Sequence, residues 1–234
     1  MGDEKIRTHK NQPVQMALEL PVENFVTRED IVEGAANALA VEMIDAWPQW
    51  PGRVVILAGP VGSGKSHIGS VWAHKAGART LAINALHTLG EDKVNDRPLL
   101  LEDAGPAQID ETALFHVINT KRALESSIII TSRSWPGDWN IALADLSSRL
   151  RAAQLVELGE PDDELLRKVL FKLFSDRQLP VDTGVIDYLV VRMERSLEAA
   201  YRIVAQLDAK GLAQKRKITR ILAGEVLAED WPGH

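Results

Sequence analysis

A parallel α/β sheet with helices on both faces, followed by a small all-helical unit, is the fold this 234-residue sequence predicts. Three observations predict it. Short apolar runs of strand length alternate with helical stretches through the first two thirds of the chain. One of those runs leads directly into a glycine-rich loop and then a helix. After Leu158 the strand-like runs stop, and only helical periodicity remains.

The elements follow in order. Residues 1–21 read as a flexible leader, polar through Pro13. From Asp30 to Trp47 apolar residues fall at helical spacing (Ile31, Ala35, Ala38, Leu39, Met43, Ile44), and Pro48 and Pro51 stop that helix. Val54 to Ala58 is continuously apolar, as a strand buried on both faces must be. Ser66 to Ala76 reads as a helix, Leu81 to Ile83 as a weaker strand and Leu99 to Leu101 as a third strand. A helix capped by Asp110 runs to Leu124, and Ser127 to Thr131 forms the fourth strand. Four amphipathic helices follow at 162–177, 183–192, 196–209 and 219–228. The expected division is therefore an α/β domain over 22–158 and a helical domain over 159–234, with the boundary near Gly159-Glu160-Pro161.

Composition narrows the chemistry. There is no cysteine, which excludes disulfides, thiol catalysis and cysteine metal sites. The net charge of −6 argues against a protein that coats DNA, although a local basic face is compatible with it. The N-terminus shows no apolar signal core, and no apolar run approaches a membrane span, so a cytoplasmic location is expected.

The chemistry concentrates in Gly59-Pro60-Val61-Gly62-Ser63-Gly64-Lys65-Ser66, which matches the phosphate-binding pattern G-x-x-x-x-G-K-[ST] in full. Gly59, Gly62 and Gly64 let successive backbone N–H groups turn inward around phosphate oxygens, with Pro60 and Ser63 completing the loop. Lys65 supplies a point charge, Ser66 a Mg²⁺ ligand, and the helix through Ser66 and His67 points its positive end at the anion. ATP or ADP with Mg²⁺ is the implied cofactor. A strand-end acid pair, Glu102-Asp103, supplies a second metal contact and a carboxylate to orient the attacking water. The order is acid-long then acid-short. The shorter second side chain sits farther from the water and predicts slow hydrolysis. Thr131, at the end of the fourth strand, would lie between loop and acid pair and position water.

With these parts in this order, the chain resembles the AAA+ ATPases, and within them the DnaA branch and its Hda-type regulators. Four further segments carry the resemblance. Asp145-Leu146-Ser147-Ser148-Arg149-Leu150 resembles the family's arginine-finger box, which implies that Arg149 reaches a nucleotide on an adjacent subunit. Ala152-Ala153 departs there from the family's usual aromatic-glycine pair. Arg195-Ser196-Leu197-Glu198 resembles the lid motif, which implies that Arg195 folds over the phosphates. The stretch 213–219 resembles the run before the last lid helix. From Arg192 to Arg220 eight Lys/Arg face three acids. Gln15-Met16-Ala17-Leu18-Glu19-Leu20 resembles the family's sliding-clamp-binding peptide, with Gln15 in a polar subsite and Leu18 and Leu20 in an apolar pocket. The resemblance also places the adenine against Phe25 and Val26.

The resemblance implies a regulator that docks on the sliding clamp (the beta subunit of DNA polymerase III) and drives hydrolysis of ATP held by DnaA. A chain closing at His234 leaves no room for DnaA's helix-turn-helix domain, which fits a regulator. Direct nucleic-acid binding is expected to be weak or absent, self-association is open, and no membrane partner is implied. The alternative is a helicase-loader-like ATPase on single-stranded DNA. Against it stand the acidic balance and the small stock of stacking aromatics, two Tyr, four Phe and six scattered Trp. A self-contained metabolic ATPase is a third reading, for which no acceptor site is visible.

Overall fold

The computed structural model describes residues 27–89, 95–106 and 109–230. Five strands make one parallel sheet: β1 (Val54–Ala58), β2 (Arg79–Ala82), β3 (Leu99–Ala104), β4 (Ile128–Ser132) and β5 (Gln154–Glu157), in the order β2-β3-β4-β1-β5. β1 and β4 are buried along their whole length and pair in register from Val54↔Ile128 to Ala58↔Ser132. Because successive side chains alternate sides, the apolar runs feed two separate layers. Val55, Leu57, Leu100, Ile129 and Val156 pack beneath α1 (Ala38–Asp45) and α2 (Lys65–Ala76), where Trp50 stacks on Trp72 at 5.5 Å. Val54, Ile56, Leu99, Leu101, Ile128 and Ile130 pack beneath α3 (Glu111–Ala123) and α4 (Ala144–Arg151).

The remaining helices, α5 (Asp163–Asp176), α6 (Thr183–Arg192), α7 (Leu197–Gln214) and α8 (Arg220–Asp230), enclose an apolar cluster of their own. Three of them start on side-chain caps. Asp162 accepts from Leu165 N at 2.7 Å, Asp182 from Gly184 N at 2.7 Å and Ser196 from Ala199 N at 3.2 Å. The α/β sheet with its helical lid is the architecture the sequence predicts. Among the described residues no helix is long and apolar enough to cross a membrane.

Details differ. The helix expected over 30–47 begins only at Ala38, after a short 3-10 turn at Arg28–Asp30. The intervening residues serve two bodies: Ile31 packs on the sheet-side cluster, whereas Val32 and Ala36 pack on the lid cluster. Buried Asn37 then ends the irregular stretch, accepting from Gly34 N at 2.8 Å and donating to Val32 O at 3.0 Å. The edge strand β5 was not expected, because only Val156 of its four residues is buried. A 3-10 segment at Ile83–Thr88 was likewise unforeseen, and α7 runs on to Gln214.

Candidate nucleotide site

The parallel sheet brings the carboxyl ends of β1, β3 and β4 to one edge, where ligands of open α/β sheets bind. The phosphate-loop residues bridge β1 and α2 there. Gly62 and Gly64 hold φ of 76° and 95°, conformations that a side chain would strain. Gly59 is needed for space, since a Cβ would fall on the Leu158 carbonyl oxygen. Lys65 is buried. Its ammonium donates to Pro60 O at 2.6 Å and to Ser63 Oγ at 3.3 Å. Burial lowers its pKa, the nearby Arg133 charge lowers it further, and Asp103 works the other way.

The acid pair stands where β3 loses register with β4 between Leu101 and Ala104. Asp103 adopts φ 59° and donates its N–H to Thr131 Oγ1 at 3.1 Å. Thr131 is therefore a buried clasp on the Asp103 backbone. The Ser66 side chain stands close enough to Glu102 to favour its charged form, so loop and strand meet there. Burial raises the Glu102 carboxyl above its ordinary range, the nearby Ser66 side chain opposes this, and the Asp103 charge adds to it.

The lid closes the other side. Leu197 N donates to Gly62 O at 2.8 Å, so a backbone bond ties the phosphate loop to the first turn of α7. Between loop, strand ends and lid lies a cavity of about 530 Å³ lined by Gly62, Gly64, Lys65, Ser66, His67, Asp103 and Arg133, with Leu197, Glu198 and Tyr201 from the lid. Arg195 is not among its lining residues. It is exposed and pairs with Asp163 at 2.5 Å, at the start of α5. The sequence reading placed Arg195 over the phosphates. The structure turns it to Asp163 and puts Glu198 on the cavity instead, because Ser196 caps α7 and the helix then presents positions 197, 198 and 201 to the loop. Arg133, Glu198 and Tyr201 were missed. Arg133 directly follows the strand-end pair Thr131-Ser132, which was the one signal available for it.

A smaller cavity continues from the first. It shares Gly64, His67, Leu197 and Tyr201 and adds Asp30, Ile31, Val32, Asn37, Ile68 and Val169. The His67 ring lies 5.9 Å from that of Tyr201, and its Nε2 is buried without a partner. Burial lowers the His67 pKa, while Asp30 favours the charged ring and Lys172 opposes it. Arg149 belongs elsewhere. It rides on α4 with its guanidinium 5.7 Å over the Phe115 ring and its Nε buried without a partner, and it does not line the cavity. Gln15, Leu18, Leu20, Phe25 and Val26 lie outside the described residues.

Residues 163–227 match the family described as Hda, lid domain. Domain III of the Thermotoga maritima replication initiation protein DnaA superposes with a TM-score of 0.73 at 17% identity, covering 90% of this chain and 98% of that one. The chain therefore has the fold of DnaA domain III, and its helical lid is similar to that of Hda. AMPPCP-bound DnaA from Aquifex aeolicus is similar to this chain with a TM-score of 0.67 at 24% identity, over 81% of this chain and 67% of its own. In sequence, the chromosomal replication initiator protein DnaA of Lactobacillus delbrueckii subsp. bulgaricus is 25% identical over 230 residues, 87% of this chain and 50% of that protein. The chain thus spans about half the length of the curated relatives it matches.

Proposed function

We propose that this protein is a nucleotide-bound regulator of replication initiation that stimulates hydrolysis of ATP held by DnaA. Its own ATP or ADP occupies the cavity at Lys65. Glycines 59, 62 and 64 cradle the phosphates, and the base lies toward His67 and Tyr201. Ser66 and Glu102 suit Mg²⁺, since a hydroxyl and a carboxylate stand near one another beside the loop, and that ion takes few protein ligands besides phosphate oxygens. Bound there, the ion would offset phosphate charge. Asp103, held by Thr131, is the residue to orient a water.

The observation that carries the regulatory reading is Arg149. An arginine suits a terminal phosphate because its charge is permanent and its fork is planar. This one is braced over Phe115, away from its own cavity, with an unpartnered Nε. Such a group serves a nucleotide on another subunit. The reading adds docking on the sliding clamp through Gln15, Leu18 and Leu20, which raises the local concentration beside DnaA. Direct nucleic-acid binding is weak in this reading. The basic run late in the lid is largely engaged: Lys210 with Glu229 at 2.6 Å, Arg216 with Glu225 at 3.3 Å, and Arg220 donating to Gly184 O at 3.0 Å.

The test is the turnover of DnaA-bound ATP in the presence of clamp on DNA. Wild type is expected to accelerate it, and Arg149→Ala to remove the acceleration, on the order of 10³-fold if the finger is complete, with nucleotide binding by the variant itself unchanged. Equal stimulation by wild type and variant would refute the role of Arg149.

A further inference from the structure

The smaller cavity is walled on one side by a stretch of chain that serves both halves of the fold. Residues 27–37 form a strap between sheet and lid, with only the 3-10 turn at Arg28–Asp30 as regular structure. Asp30, Ile31, Val32 and Asn37 line the cavity, and the lid faces them there with Val169 and Tyr201. Parting the strap from either neighbour opens this end of the site. The two joints are unequal. On the sheet side, Arg28 Nε donates to both carboxylate oxygens of Asp45, at 2.9 and 3.0 Å, and Ile31 is buried in the core cluster. Gly159 N, directly after buried Leu158 of that cluster, donates to Ala36 O at 2.9 Å. On the lid side, Val32 and Ala36 rest on the apolar cluster, and Lys172 of α5 reaches Asp30 at 3.7 Å. Lys172 holds Asp176 more closely, at 2.9 Å, one turn further along the same helix. Asp30 in turn accepts from Thr27 N at 2.7 Å and from Thr27 Oγ1 at 3.1 Å. Each charge keeps a partner when the two separate, and both are partly exposed, so this joint costs little to break. The lid is held independently by the bond from Leu197 N to Gly62 O.

We propose that the strap is the exchange gate of the nucleotide site: nucleotide enters and leaves when α5 parts from residues 27–37, and the Asp30–Lys172 pair is the latch on that joint. The strap stays with the sheet, because its bonds there are the shorter ones. The lid turns about the Leu197–Gly62 bond, and the phosphate loop keeps its shape. Neither latch residue belongs to the phosphate loop, and the pair closes whether or not nucleotide is present. A contact made equally in both states does not shift the binding equilibrium. The latch therefore sets how fast nucleotide exchanges and leaves its affinity alone.

The inference rests on the nucleotide reading above, and release kinetics separate the two. The chain has no cysteine, and a Cβ at Gly34 of the strap would lie 3.2 Å from Leu165 Cβ of α5, a few tenths of an ångström inside the usual span of a disulfide. Full-length protein carrying Gly34→Cys with Leu165→Cys is loaded with N-methylanthraniloyl ADP, oxidised with diamide and chased with excess unlabelled ADP. Release from the cross-linked form is expected to slow roughly tenfold or more, because the lid motion that limits it is blocked, and to recover on adding dithiothreitol. In a second variant, Lys172→Met, binding and release are both expected to quicken about two- to fivefold, the range of an exposed ion pair, with the dissociation constant unchanged. Equal release from the cross-linked and reduced protein would overturn the inference while the nucleotide reading stands. A pair that fails to cross-link would place Gly34 away from α5 and overturn it as well. Unchanged rates in Lys172→Met, or a weaker affinity at an unchanged binding rate, would refute the latch. Wild type that binds neither ADP nor ATP would overturn both readings.

Discussion

Replacing Gly62 with alanine probes the joint between phosphate loop and lid without touching a charge. Gly62 has φ 76°, and holding an L-residue in the left-handed region costs roughly 1–2 kcal/mol. The new Cβ would lie 2.6 Å from Ser196 Cβ and 3.2 Å from Ser196 Cα, and in contact with Ser196 Oγ. The first turn of α7 must therefore withdraw, stretching the 2.8 Å bond from Leu197 N to Gly62 O, which is worth about 1 kcal/mol. Together these predict a loss of about 2–3 kcal/mol. The assay is urea unfolding followed by circular dichroism, read as a lower midpoint at unchanged slope. Adding Ser196→Gly to Gly62→Ala removes the collision but keeps the backbone strain. Because glycine replaces a serine cap at a cost of only a few tenths of a kcal/mol, the double variant is expected to be about 1 kcal/mol more stable than Gly62→Ala alone. A loss below about 1 kcal/mol for Gly62→Ala, or a double variant no more stable than it, would refute the argument that lid and loop are in rigid contact at this glycine.

Two further outcomes are expected. Lys65→Ala should weaken nucleotide binding roughly tenfold or more in calorimetry while leaving the melting temperature unchanged or raised, because burial already disfavours this ammonium. His67 has a pKa lowered chiefly by burial, so the unfolded chain binds its proton more readily. The neutral ring's contribution is complete above the ordinary histidine value of 6.5 and is lost as pH falls from there toward the lowered one. Chemical denaturation at pH 7.5 and 5.0 should show wild type losing more stability on acidification than His67→Gln.

The layers were readable because strands buried on both faces leave no alternative. Val54 to Ala58 and Ile128 to Ile130 are apolar without interruption, and both lie in the sheet centre. The phosphate loop was readable because its glycines answer a steric demand, as Gly59 against Leu158 shows. β5 was hidden because an edge strand needs only one buried side chain, Val156, to hold its register. Asn37 shows why the first helix was read too early. Periodicity at Ile31 and Ala35 is compatible with a helix, but a buried amide that captures Gly34 N and Val32 O outcompetes it. The lid's side of the cavity was the least visible part. Arg195 lies before the Ser196 cap, outside α7, and whether Glu198 faces the cavity is a matter of how α7 is rotated, about 100° per residue. That rotation is set by the local Ser196 cap and by the Leu197 bond, the latter a contact across more than 130 residues of chain from Gly62 to Leu197.

That bond also gives α7 the properties of a pointer. The helix spans 18 residues, Leu197–Gln214, about 27 Å at 1.5 Å per residue, and its pivot is fastened to the carbonyl of Gly62. A tilt of about 10° at the loop would carry the far end through about 5 Å, a geometric gain that follows from length alone. Leu212, 80% exposed near that far end, is the apolar side chain positioned to display the displacement to whatever approaches the lid.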